Sequence, residues 1–116
     1  IKIIQDIMIM SDIQLNIKNN FTTKPIGLQE WTITMILKEL TNNIIKHSKA
    51  NKCDIILDES NNNYTIIAKD NGCGFEIITG SELASIRERI KVVEGKIEIL
   101  SKKEPTIIRV TISKDN

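Results

Sequence analysis

Glu39, Asn43 and His47 step by four along KELTNNIIKHSKA (38–50), so a helix stacks them along one side. Lys46 lies on the same side of the last turn. Carboxylate and amide oxygens are hard ligands that suit a divalent cation, and the amide adds no charge beside an anionic ligand. Lys46 and His47 are groups that neutralise phosphate oxygens. The same stripe also reads as a solvated face whose cations favour the helix C-terminus. Spacing alone leaves both readings open.

A second stretch, DNGCGF (70–75), follows a strand-like run. Asn-Gly is a strong turn signal because type I′ turns need positive φ at both central residues. A turn needs only one glycine. Gly74, two residues after Gly72, implies that something approaches the backbone closely.

The rest of the chain limits what these residues serve. Its 116 residues fit one domain, read as 1–116, with residues 1–10 as the tail of a linker or helix from an upstream dimerisation region. A domain this size buries roughly 65% of the surface its unfolded chain exposes. Aromatic residues are only 3% of the chain, so the core must be aliphatic, mainly isoleucine. Sixteen basic and fifteen acidic residues nearly cancel, which leaves no global field to draw in nucleic acid. Cys53, Cys73 and a single histidine fall short of the four ligands a zinc site needs, and free thiols fit a reducing compartment. No apolar run reaches the ~18–20 residues of a membrane helix. The fragment is expected to be cytoplasmic, without direct membrane contact.

Periodicity supplies the elements. Ile13, Leu15 and Ile17 alternate as a strand. From Leu28 to about His47, Ile33, Ile36, Leu37, Leu40 and Ile44 recur at helical steps. Residues 53–59 and 64–70 read as strands around an Asn-rich turn. Ser81 is the expected N-cap of a helix from Glu82 to about Val93, with Leu83, Ile86, Ile90 and Val93 on one side and Gly95 as its closing glycine. Residues 96–101 and 106–113 are the last strands. This order predicts a two-layer α/β sandwich with helices on one face of a mixed sheet.

With both stretches in place, a resemblance emerges. ILKELTNNIIKHSKA (36–50) resembles the N box of the GHKL ATPase superfamily, and DNGCGF its G1 box, the DxGxG signature. ASIRERI (84–90) is similar to the G2 segment ending in an MRER-like run. That run, with KHS in the N box, is most similar to sensor histidine kinases that pair with LuxR/NarL-type response regulators. The resemblance covers residues 11 to 113.

It implies a Bergerat-type ATP-binding fold, a roughly five-stranded mixed sheet with about three helices. It implies that Asn43 coordinates Mg²⁺ and that Glu39 orients a water or acts as base. Lys46 and His47 would contact the phosphates, as would Gly80 and Arg87 in the G2 segment, with Arg89 also within reach. Asp70 would accept from the adenine amino group, Gly72 and Gly74 would let backbone pass the base, and Thr106 would stand behind Asp70. Glu82 and Ser85 occupy positions where the family carries glycine, residues 75–80 form a short lid, and Pro105 replaces a glycine before the closing threonine.

The implied activity is transfer of the ATP γ-phosphoryl to a histidine on a separate helical hairpin. The implied partners are that dimerisation hairpin, a cognate response regulator and a membrane-anchored parent protein. The alternative is a switch module like the anti-sigma factors, acting by protein contact.

Overall fold

The computed structural model describes residues 13–45, 51–72, 83–102 and 105–114. Five strands form one sheet: β1 (Gln14–Asn19), β2 (Lys52–Glu59), β3 (Asn63–Asp70), β4 (Lys96–Lys102) and β5 (Thr106–Ser113). Their order is β1-β2-β3-β5-β4. β1 runs parallel to β2, and every other pair is antiparallel. The described helices are α1 (Gly27–Asn43) and α2 (Ala84–Ile90), the latter continued by a 3-10 turn, Lys91–Val93. This is the expected mixed five-stranded α/β sandwich. Residues 1–10 lie outside the described residues, and no described helix is long and apolar enough to cross a membrane.

The core follows from period two meeting period 3.6. Cys53, Ile55 and Leu57, then Tyr64, Ile66 and Ala68, then Ile108, Val110 and Ile112 are buried on alternate positions of their strands. Ile33, Ile36, Leu37 and Leu40 of α1 and Ile44 at its C-cap join them, as do Leu83, Ile86, Ile90 and Val93 around α2, in a single cluster. Burying one such side chain contributes about 1.5–3 kcal/mol, so isoleucine in quantity replaces aromatic bulk.

The start of α1 is tied down by side chains. The Glu59 carboxylate, only 6% exposed, accepts from the backbone N–H groups and hydroxyls of Thr22 and Thr23 and from Lys114 Nζ at 2.5 Å. The Lys114 bond, with those from Thr23 and Thr22, holds its pKa well below the usual carboxylate range. Gln29 donates to the carbonyls of Lys114 (2.5 Å) and Ser113 (3.3 Å), fastening α1 to the end of β5. With its first turn fixed there, a 17-residue helix spans ~25 Å, close to the length of these strands. Its last residue, Asn43, is therefore carried toward the opposite end of the sheet, where β2 and β5 begin and β3 ends.

α2 departs from expectation at both ends. Leu83 is the N-cap and offers no side-chain cap, while Ser81 and Glu82 lie outside the described residues. At the C-terminus, Glu94 rather than Gly95 takes the left-handed conformation, with φ 52°. Glu94 N–H donates to Lys91 O and Gly95 N–H to Ile90 O at 2.8 Å, the paired bonds of a Schellman closure. Glycine is needed at 95 for space: a Cβ there would lie 2.8 Å from Ile90 Cβ and 3.0 Å from Thr111 O.

Candidate functional site

Asp70 is the last residue of β3, opposite Cys53 on β2 and Thr106 on β5. All three are buried, Asp70 to 5% exposure. An acidic side chain among buried strand ends is costly without a reason. Asp70 Oδ1 accepts the Gly72 N–H at 2.9 Å, an Asx turn that shapes the first half of DNGCGF. Burial raises the Asp70 pKa, and the Gly72 hydrogen bond partly opposes this. The Cys53 thiol is pushed up to about 12, first by burial and then by the charges of Asp70 and Asp54.

Asn71 supplies what spacing did not reveal. Its Oδ1 accepts from the N–H groups of Asn51 (3.0 Å) and Lys52 (3.1 Å), and its Nδ2 donates to Asn51 Oδ1 at 2.6 Å. The residue between Asp70 and Gly72 thus anchors the turn to the start of β2. In the sequence Asn71 stood only as half of a turn dipeptide. Its second use needs a partner twenty residues away.

On α1, Asn43 is half-buried at the final position, one turn beyond Glu39. Glu39 is engaged by α2. Its Oε1 accepts from Arg89 Nε at 2.7 Å and from Ser85 Oγ at 2.8 Å. The Arg89 guanidinium also lies 5.9 Å from the centre of the Trp31 ring, a cation–π distance. Arg87 is exposed on α2. It is Arg89 that reaches back to α1. Lys46, His47, Gly74 and Gly80, with the lid at 75–80, lie outside the described residues.

Glu39, Asn43, Asp70, Gly72 and Thr106 therefore belong to two walls, one helix end and one set of strand ends, at the same end of the sheet. Among the described residues no group of three or more His, Cys, Asp or Glu could hold a metal ion by itself. The Asn43 amide on α1, an oxygen donor without charge, fits Mg²⁺, which keeps several waters and takes its other ligands from phosphates.

No family model matches the chain. It is 34% identical over 82 residues to the sensor histidine kinase YvfT of Bacillus subtilis, covering 69% of this chain and 22% of that protein. The chain thus spans about a fifth of that curated relative. Among solved structures, the histidine kinase AdeS of Acinetobacter baumannii superimposes with a TM-score of 0.79 at 21% identity, over 99% of this chain and 61% of that one. The catalytic domain of histidine kinase ThkA superimposes with a TM-score of 0.76 at 16% identity, over 97% of this chain and 86% of that one.

Proposed function

Because the chain belongs to the sensor histidine kinase family and has the fold of its catalytic domain, we propose that it binds ATP with Mg²⁺ and presents the γ-phosphoryl to a histidine on a separate helical hairpin. The observation that carries this reading is the buried Asp70 carboxylate, held by the Gly72 N–H and facing Thr106. A buried acceptor at a pocket floor selects adenine, because guanine offers a carbonyl at the same place.

Each wall then has its task. Asp70 orients the base, and the Asx turn, braced by Asn71, brings backbone to the ribose side. Asn43, with no charge of its own, would hold Mg²⁺, which would supply charge neutralisation to the phosphates. Glu39 orients the attacking group or takes its proton. Lys46, His47 and Arg87, with Gly80 in the G2 segment, meet the phosphate chain. Positioning and charge neutralisation dominate such a transfer. The cognate regulator is of the LuxR/NarL type, and the parent protein is anchored at the membrane.

Calorimetry with ATP and ADP, with and without Mg²⁺, tests this. Magnesium-dependent binding is expected. No heat and no thermal shift at millimolar nucleotide would sink the proposal. Asn43→Asp should weaken Mg·ATP binding, while Asn42→Asp, at an exposed position one residue away, should not.

A further inference from the structure

Two side chains of α2 converge on one oxygen of Glu39, and one of them is a departure from the family pattern. Ser85 stands where the resemblance expects glycine, and a glycine has no hydroxyl to donate. Here the Ser85 hydroxyl donates to Glu39 Oε1 at 2.8 Å. Arg89 Nε donates to the same atom at 2.7 Å. The pair is partly shielded, with side-chain exposures of 34% for Arg89 and 21% for Glu39. Trp31, two turns before Glu39 on α1, lies against the guanidinium and restricts where it can go. Both donors go to Oε1, so Oε2 has no partner among the described residues.

From this geometry we propose that Arg89 and Ser85 are positioning residues for Glu39. They fix its carboxylate on α1 with Oε2 outward, and Arg89 cancels its charge. This rests on the reading of the site as a nucleotide site. A bare carboxylate one helical turn from the Asn43 metal position would repel an incoming triphosphate, whereas a carboxylate–guanidinium pair admits it. Arg89 thus serves the phosphates through Glu39 rather than by gripping them. The role assigned to the RER run divides, with Arg87 left for ligand and Arg89 committed to the helix pair.

The distinction is readable in a double-mutant cycle on this chain, with Mg·ATP and AMP dissociation constants measured by calorimetry. Arg89→Met exposes the Glu39 charge. It should weaken Mg·ATP binding about tenfold, within the range for coupled neighbours, and leave AMP within about twofold, since AMP lacks the distal phosphates. The loss should shrink as salt rises. Adding Glu39→Gln to Arg89→Met should restore Mg·ATP affinity to within about threefold of the parent, because the repelling charge is gone. Arg89→Lys, which keeps the charge, should retain most of the affinity. A loss that persists in the double variant means that Arg89 contacts the phosphates itself, and overturns the proposal. Unchanged affinity in Arg89→Met does the same. Should Arg89→Met fail to fold, Arg89→Gln, neutral and able to donate to Glu39, carries the same cycle with the same outcomes. An unmodified chain that binds no nucleotide defeats the proposed function instead, so the two failures are separable.

Discussion

Cys53 and Asp70 face each other across neighbouring antiparallel strands, both buried, a thiol beside a carboxyl. Burial and the charge of Asp70 both raise the cost of ionising Cys53. With the Cys53 pKa pushed up to about 12, almost no thiolate exists at pH 8, and thiolate is the reactive form. In a Cys73→Ser background, Cys53 should resist maleimide in the native protein and label only as denaturant unfolds it. Prompt labelling of the native chain at pH 8 would contradict this burial.

Asp70 itself should trade stability for recognition. Its folded pKa is raised, chiefly by burial, so its favourable contribution is present below the ordinary carboxylate pKa and is lost as pH rises through the folded value. At pH 7, well above the ordinary carboxylate pKa, burying this acid is a liability. Asp70→Asn keeps an oxygen for the Gly72 N–H and should melt at or above the parent at pH 7, the gap closing on acidification. Adenine nucleotide affinity should fall by about 1–3 kcal/mol, the range for spoiling a hydrogen bond to a charged group. Melting curves across pH, paired with calorimetry, read both.

Glu59 carries the opposite sign. Its pKa is lowered, first by the Lys114 bond and then by those from Thr23 and Thr22. Its contribution is therefore present above the ordinary carboxylate pKa and is lost as pH falls through the folded value. Glu59→Gln should lower the melting temperature at pH 7. Its deficit should narrow below about pH 4, where Glu59 of the unfolded chain begins to take up its proton. A constant deficit from pH 7 to pH 2 would mean that the charge does not matter.

The α2 closure gives a pair of changes with opposite outcomes. Gly95→Ala places a methyl against Ile90 Cβ and Thr111 O and should cost about 1–3 kcal/mol, the usual range for overpacking. Glu94→Gly relieves a left-handed non-glycine residue and should stabilise by up to about 1 kcal/mol. Urea titration of both variants decides whether position 94 or 95 carries the backbone strain.

The strands and the apolar stripes were legible because their periods are local. Every α1 and α2 residue placed on the inner stripe from spacing is buried, and each strand boundary falls within one residue of its reading. Asp70 and Thr106 could be paired through family resemblance, and the register joins them directly. Helix ends were less legible. The left-handed residue fell one place early, because close approach to Ile90 and Thr111 claims Gly95. The fates of Ser85 and Arg89 were also hidden. Their partner, Glu39, is 46 and 50 residues away in sequence, and no period reports a contact between two helices.

The parallel pairing of β1 with β2 sets an order of assembly. Tyr64 meets Glu59 and Thr106 meets Lys102 across short hairpins, whereas Gln14 must find Lys52 across the whole of α1. Lengthening a closed loop from about 5 to about 38 residues adds roughly 2 kcal/mol of entropic cost. The β2–β3 and β4–β5 hairpins can zip locally, while β1 has to wait for α1, and the pairing of β3 with β5 for α2, to bridge the gap. The sheet is then two local hairpins and an edge strand joined across helices. Lying at an edge, β1 is held on one side only, so the amides of residues 14–19 should exchange with solvent before those of β3 and β5.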